Sequence, residues 1–295
     1  MNIALVGFGK FGKKYYKNIL KNEKLKLIAI FRKKKIYNNN FKKISSKNID
    51  ENKIKSAVIA TPIKTHYKIA KLFIDKKIPI ILEKPSANKK NEIKDLIKLS
   101  NKKRVSVLVN HSDLYNHNLN FLMSKINLIG KIKYIEAYFG KYSTQYKDRL
   151  QPPLNDWLPH PLAIIIKFFN RIDNMKVISN DISKNGKSYF QKTYIKFKTI
   201  KKIEGKIFFS NVTRKKMRNF IIHGKKGFIN YDGYKNENNF IFTKKKIFPK
   251  KKYLSPMENI LQRLHILSSK KKLDFSDLKL SLEIEKSLSM IRNKS

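Results

Sequence analysis

The sequence predicts an α/β protein, with an N-terminal Rossmann-type doubly wound parallel sheet followed by an α+β domain built on a largely antiparallel sheet. Three observations predict it. Short, wholly apolar runs alternate with helix-like stretches through the first 110 or so residues, which is how strands covered on both faces read in a parallel sheet. A glycine-rich turn separates the first apolar run from the first helix. Beyond about residue 112 the apolar positions fall into partial alternation, the period of strands with one covered face.

Taken in order, Asn2–Val6 is the first apolar run, and Phe11–Leu20 follows as a helix with Phe11, Tyr15 and Ile19 on one face. Leu25–Phe31 and Ser56–Ala60 are the next strands. A helix over His66–Asp75 presents Ile69, Ala70 and Phe73 together. Pro79–Leu82, a helix over Asn91–Ser100 and Val105–Val109 complete the doubly wound pattern. The second domain opens with a helix over Asn118–Asn127. Strands are expected at Ile132–Phe139, Tyr189–Phe197, Glu204–Phe209 and Phe220–Ile222, with an apolar-rich helix at Trp157–Phe169. Helices near Met257–Ser268 and Asp274–Ile291 close the chain. The expected division is 1–112 and 113–295, with no internal repeat and no long linker.

With 295 residues, 41% hydrophobic and 12% aromatic, the chain has ample material for a buried core. It contains no cysteine, which excludes disulfides, thiolate metal sites and cysteine nucleophiles. The longest later apolar stretch, Leu162 to Phe169, is interrupted by Lys167 and falls well short of the roughly 20 residues of a membrane span. No signal-peptide pattern is read at the N-terminus, so a cytoplasmic protein without a membrane role is expected. The net charge of +46 invites a nucleic-acid reading. However, 59 of the 67 basic residues are lysine, they are scattered along the whole chain, and Asn, Ile, Tyr and Phe are abundant beside them. These residues share AT-rich codons, so the charge is read as compositional and nucleic-acid binding is set aside.

Gly7-Phe8-Gly9-Lys10-Phe11-Gly12 matches G-x-G-x-x-G directly after a strand and at the opening of a helix. Gly7 permits the tight turn, Gly9 lets the backbone approach a pyrophosphate, and Gly12 lets the helix lie close to the sheet. Phosphates would rest at the helix N-terminus. The second strand ends at Phe31-Arg32-Lys33, where NAD-specific proteins carry an acidic residue for the ribose hydroxyls. A guanidinium there pairs with a 2′-phosphate. NADP(H) is therefore the expected cofactor, with NAD(H) as the second choice.

Two further segments fall at strand ends. Ala57-Val58-Ile59-Ala60-Thr61-Pro62 leads to His66, just inside a helix, and Ile80-Ile81-Leu82-Glu83-Lys84-Pro85 ends the following strand. Together with the glycine turn they resemble the glucose–fructose oxidoreductase, inositol dehydrogenase and rhizopine-catabolism (Gfo/Idh/MocA) family, through nearly all of the first 112 residues. Gly130-Lys131-Ile132 resembles that family's passage into its second domain. Asp156-Trp157-Leu158-Pro159-His160 resembles its aspartate and histidine four residues apart. The resemblance implies that Lys84, Asp156 and His160 are catalytic and that Thr61, Pro62, His66, Glu83 and Lys84 border the cofactor. It also implies a sugar, cyclitol or nucleotide-sugar substrate and a homo-oligomer formed through the second-domain sheet. In that scheme His160 exchanges the substrate proton, Lys84 stabilises charge on the same oxygen, and Asp156 orients His160 or binds a substrate hydroxyl.

Asp156 also suits a helix N-cap, and His66 reads as packing near the cofactor. His111 and His117 flank Asp113, but no metal site is expected from them. Tyr115 and Asn116 are candidates to line the substrate cleft. A non-catalytic NAD(P)-binding sensor or assembly protein is the alternative reading; a basic nucleic-acid-binding protein ranks below it.

Overall fold

The structure, a computed structural model, describes residues 1–31, 41–42, 49, 53–142, 152–186, 188–249 and 254–292. Two compact units form. One comprises Met1–His111 with Leu254–Leu282, the other Ser112–Tyr253 with Glu283–Ser295. The helices used below are α1 (Lys10–Leu20), α2 (Ile63–Asp75), α3 (Lys90–Lys103), α4 (His117–Ser124), α5 (Pro153–Asp156), α6 (Pro159–Phe169), α7 (Pro256–Ser269) and α8 (Ser276–Arg292).

The first unit holds a parallel sheet of β1 (Asn2–Val6), β2 (Lys26–Phe31), β3 (Phe41–Lys42), β4 (Ser56–Ile59), β5 (Ile80–Leu82) and β6 (Val107–Val109), in the order β3-β2-β1-β4-β5-β6. That is the strand order of dinucleotide-binding sheets, with its switch point between β1 and β4. Strands β4, β5 and β6 are buried from end to end, apolar throughout apart from Ser56 at the start of β4. The register aligns Val6 with Ile59, Ile59 with Leu82, and Leu82 with Val109. Gly7, Ala60, Glu83 and Asn110 therefore leave the sheet along one edge.

Helix α1 buries Gly12, Tyr15 and Ile19, while Phe11 remains 45% exposed. The expected face led by Phe11 is thus rotated. A Cβ on Gly12 would strike the Gly7 carbonyl oxygen, so the helix presses on the turn through its glycine, and Phe11 is left outside beneath the Lys14 ammonium. Helix α2 buries Ile69, Ala70 and Phe73 as its spacing predicts. The segment Leu254–Leu282 packs with this unit, although the division at residue 112 assigns it to the second domain. It secures the edge strand β6: the Asp277 carboxylate accepts from Val109 N at 2.9 Å, and Asp274 N donates to Ser106 Oγ at 2.9 Å.

The second unit is built on eight strands: β7 (Ile132–Gly140), β8 (Ile172–Asn185), β9 (Ser188–Thr199), β10 (Glu204–Ser210), β11 (Met217–Gly224), β12 (Phe228–Asp232), β13 (Phe240–Phe242) and β14 (Lys246–Ile247). Their order is β14-β13-β12-β11-β7-β10-β9-β8, antiparallel except for β7 with β10. Ile135, Ala137 and Phe139 of β7 share the buried side with Phe220 and Ile222 of β11. Helix α6 covers that side, and Phe169 stacks on Phe220 at 6.3 Å. Strand β8 is almost wholly exposed after Met175, so its sequence lacks the apolar alternation that would have announced it. Among the described residues no helix is long and apolar enough to cross a membrane.

Candidate active site

The glycine turn has the geometry its spacing implies. Gly7 takes φ +95°, and a Cβ there would lie 2.5 Å from the Ala60 carbonyl oxygen. Gly9 is the N-cap of α1, and a Cβ on it would meet nothing within 4 Å. The first turn of α1 carries no acidic residue. Open space at Gly9, backbone N–H groups at a helix start and the absence of a repelling carboxylate together fit a dinucleotide pyrophosphate. Phe8 packs edge-to-face on Tyr16 at 5.4 Å, and Lys10 begins the helix. Arg32, on which the expected NADP(H) preference rests, lies outside the described residues.

Along the same edge Thr61 Oγ1 accepts from Thr65 Oγ1 at 2.8 Å, and Pro62 is the N-cap of α2. The His66 ring is buried, with Nδ1 2.8 Å from the Pro85 carbonyl oxygen and Nε2 2.7 Å from that of Thr61. Each nitrogen faces a carbonyl oxygen, and the neutral ring has one N–H to donate to either, so His66 links the Thr-Pro turn to the Glu-Lys-Pro segment through one hydrogen bond and one close contact. Burial lowers its pKa, and the two carbonyl contacts pull the other way. Glu83 is 6% exposed and accepts from Tyr15 Oη at 2.9 Å and from Asn110 Nδ2 at 2.7 Å. Burial raises its pKa against those hydrogen bonds. Its carboxylate ties α1 to the ends of β5 and β6. Lys84 is half-buried and joined to Pro85 through a cis peptide. Asn110 went unnoticed in the sequence. Its Oδ1, like Ser86 Oγ, is buried without a partner among the described residues, as groups awaiting a ligand would be.

In the second unit Pro159 occupies the first turn of α6, and His160 follows it. The N-cap of α6 is Leu158, and Asp156 is the last residue of α5. Asp156 is therefore not that helix's N-cap, and the two residues sit in successive short helices rather than in one. The carboxylate against His160 is Asp113, with Oδ2 3.3 Å from Nδ1. Asp113 is 3% exposed and takes a two-pronged contact from Arg218, Nε to Oδ1 and Nη2 to Oδ2, each at 2.7 Å. Tyr231 Oη donates to Oδ1 at 3.0 Å. Burial alone would raise the Asp113 carboxyl, but the Arg218 charge and the His160 hydrogen bond reverse this and hold it well below the usual carboxylate range. Burial pushes the Tyr231 hydroxyl upward, reinforced by Asp113. Phe139 stacks on the His160 ring at 6.3 Å, and Trp157 leans against it at 6.1 Å.

Asn116 caps α4, its Oδ1 accepting from Asn118 N and Leu119 N. His111 Nε2 contacts Ser281 Oγ at 3.1 Å, and His117 is exposed. Arg218, the guanidinium on Asp113, lies 105 residues away in the sequence.

Residues 1–111 match the oxidoreductase family with an NAD-binding Rossmann fold, GFO_IDH_MocA. A search of the curated proteins found no match. Among solved structures, the UDP-N-acetylglucosamine 3-dehydrogenase GnnA of Acidithiobacillus ferrooxidans superposes with a TM-score of 0.85 at 13% identity, covering 99% of this chain and 96% of that one. Biliverdin reductase of Synechocystis sp. PCC 6803, solved with biliverdin and NADP+, gives 0.78 at 15% identity, with 98% of each chain covered. GenD2 from gentamicin A biosynthesis, solved with NAD, gives 0.82 at 12% identity, covering 98% of this chain and 92% of that one. At these identities the likeness is one of fold.

Proposed function

From a chain that belongs, by its NAD-binding domain, to the Gfo/Idh/MocA oxidoreductase family, we infer a cytoplasmic enzyme that transfers hydride between NAD(P) and a hydroxyl- or keto-bearing carbon of a sugar, cyclitol or nucleotide-sugar. The observation that carries this reading is His160, whose ring is held on a buried, ionised carboxylate in a chain with a dinucleotide-binding edge.

Gly7, Phe8, Gly9, Lys10, Phe11 and Gly12 would hold the pyrophosphate, and Thr61, Pro62, Glu83 and Lys84 would border the rest of the cofactor. A bound nicotinamide supplies or accepts the hydride. His160, with Nδ1 engaged, takes or returns the substrate hydroxyl proton through Nε2. Lys84 donates to the same oxygen and stabilises negative charge as it develops. Asp156 binds a substrate hydroxyl, since Asp113 already occupies the orienting position beside His160. The sugar-like substrate follows the family resemblance and the nucleotide-sugar dehydrogenase among the structural neighbours. A biliverdin reductase on the same fold marks how far substrates diverge. Arg32 favours NADP(H) with NAD(H) also accepted, and the second-domain sheet serves as the face of a homo-oligomer.

The test is oxidation of reduced cofactor against a panel of keto-sugars and nucleotide-sugars. Turnover with at least one panel member is expected, falling on the order of 10²-fold or more in Lys84→Ala and in His160→Ala. Unchanged rates in both variants would overturn the proposed site.

A further inference from the structure

The guanidinium of Arg218 is committed on one side only. Its Nε donates to Asp113 Oδ1 and its Nη2 to Asp113 Oδ2, each at 2.7 Å. Nη2 also reaches Ser112 Oγ at 2.8 Å and His160 Nδ1 at 3.1 Å. A guanidinium carries five N–H groups, two of them on Nη1. Among the described residues those two make no hydrogen bond, and Nη1 is not shut off from solvent. The side chain as a whole is only 16% exposed. A largely buried donor, fixed by a buried carboxylate, thus keeps two N–H groups for an acceptor on the same planar group that meets His160. Its placement is built in. Arg218 pairs with Phe139, which stacks on the His160 ring. A Cβ on Gly233 would lie 2.6 Å from Arg218 Cδ, so the chain makes room for the stem where β12 ends. Tyr234, 45% exposed, stands beside the guanidinium: burial raises its hydroxyl pKa, and the Arg218 charge opposes that rise.

We propose that Arg218 is a specificity-determining residue: through Nη1 it donates to an uncharged oxygen, hydroxyl or carbonyl, of the sugar-like substrate. This rests on the reading of His160 as the group that exchanges the substrate proton. The charge balance selects an uncharged acceptor. Asp113, 3% exposed, already supplies the negative charge that matches the guanidinium. A carboxylate or phosphate on Nη1 would set a second anion on one cation and leave one of the two unmatched in a largely buried place. A hydroxyl or carbonyl oxygen needs only the hydrogens that Nη1 offers. The residue type is also informative. Arg218 is one of eight arginines in a chain with 59 lysines. A lysine could neutralise Asp113 as a point charge, but only the planar fork holds a carboxylate along one edge and keeps further donors fixed in direction. A substrate analogue without the bonded oxygen would leave those donors unpaired, which is how such a group discriminates.

Nitrogen-resolved NMR of the arginine side chains, assigned through bonds, tests this in the unmodified protein. Without substrate the Arg218 Nε hydrogen is expected to exchange slowly with solvent and the Nη1 hydrogens rapidly. Uncharged keto-sugars and their alcohols, with the matching uronic acids, are then added one at a time. At least one uncharged member should slow exchange at Nη1. Its analogue lacking the bonded oxygen should bind at least about tenfold more weakly, and in Arg218→Lys that difference should vanish. Nη1 hydrogens already protected without ligand would overturn the proposal. So would a panel in which no member protects them, protection by the uronic acids alone, or an analogue preference that survives in Arg218→Lys. Turnover without protection at Nη1 contradicts this inference and leaves hydride transfer standing. Protection without turnover contradicts hydride transfer and leaves this inference standing, so the two failures look different.

Discussion

At His160 the ring nitrogen Nδ1 meets two groups of opposite charge, Arg218 Nη2 at 3.1 Å and Asp113 Oδ2 at 3.3 Å. Lys84 and His160 stood out in the sequence as candidates because each sits in a short motif. Asp113 was visible only as an acid between two histidines, because its meaning depends on Arg218 and Tyr231, brought in by strands far along the chain. The resemblance left Asp156 either to orient His160 or to bind a substrate hydroxyl, and the four-residue spacing could not say that one helix ends at Asp156 and the next begins at Pro159. At the same scale lies the cofactor question. Titration of the apo protein should give tighter binding of NADP(H) than of NAD(H), with Arg32→Ala losing roughly tenfold, about 1.4 kcal/mol, toward NADP(H) alone. Equal loss for both cofactors, or tighter NAD(H) binding in the unmodified protein, would sink that preference.

At the scale of elements, the cofactor edge is joined by Glu83, which bonds Tyr15 of α1 and Asn110 after β6 from the end of β5. Its burial has a consequence for stability. The folded-state pKa lies above the ordinary glutamate value because desolvation outweighs those hydrogen bonds. Between the unfolded and folded pKa values the native state binds the extra proton, so stability contributed by this group is present at low pH and is lost as pH rises through the folded value. A tenfold difference in proton affinity between the two states corresponds to about 1.4 kcal/mol. Glu83→Gln keeps an acceptor for Tyr15 and for Asn110 and carries no charge to desolvate. Urea unfolding of this variant should therefore lose that downward slope above the usual carboxylate range. A slope identical to that of the unmodified protein would show that Glu83 is not its source. The strands and helices of the first unit were readable because burial on both faces leaves unbroken apolar runs. In the second unit β8, β12, β13 and β14 escaped notice, β8 because it is bare on most of its length.

For the whole molecule, the doubly wound half and the antiparallel half were both foreseen, whereas the return of Leu254–Leu282 to the first unit was not. That return is decided by contacts such as Asp277 with Val109 N, which no local pattern encodes. The net charge of +46 bears on assembly: if the second-domain sheet pairs copies of this chain, like charges oppose their approach, and added salt screens them within about 10 Å at 0.1 M. Sedimentation across ionic strength should then show association rising with salt, and a monomer at every salt concentration would remove the pairing. The central claim is that the bound nicotinamide is used for chemistry. It is tested most directly by supplying reduced cofactor deuterated at its transferring carbon and following the label into the panel of keto-sugars and nucleotide-sugars. The account predicts deuterium on the newly formed carbinol carbon of at least one product, lost in His160→Ala; reduced cofactor that binds tightly yet keeps its label with every panel member would contradict it.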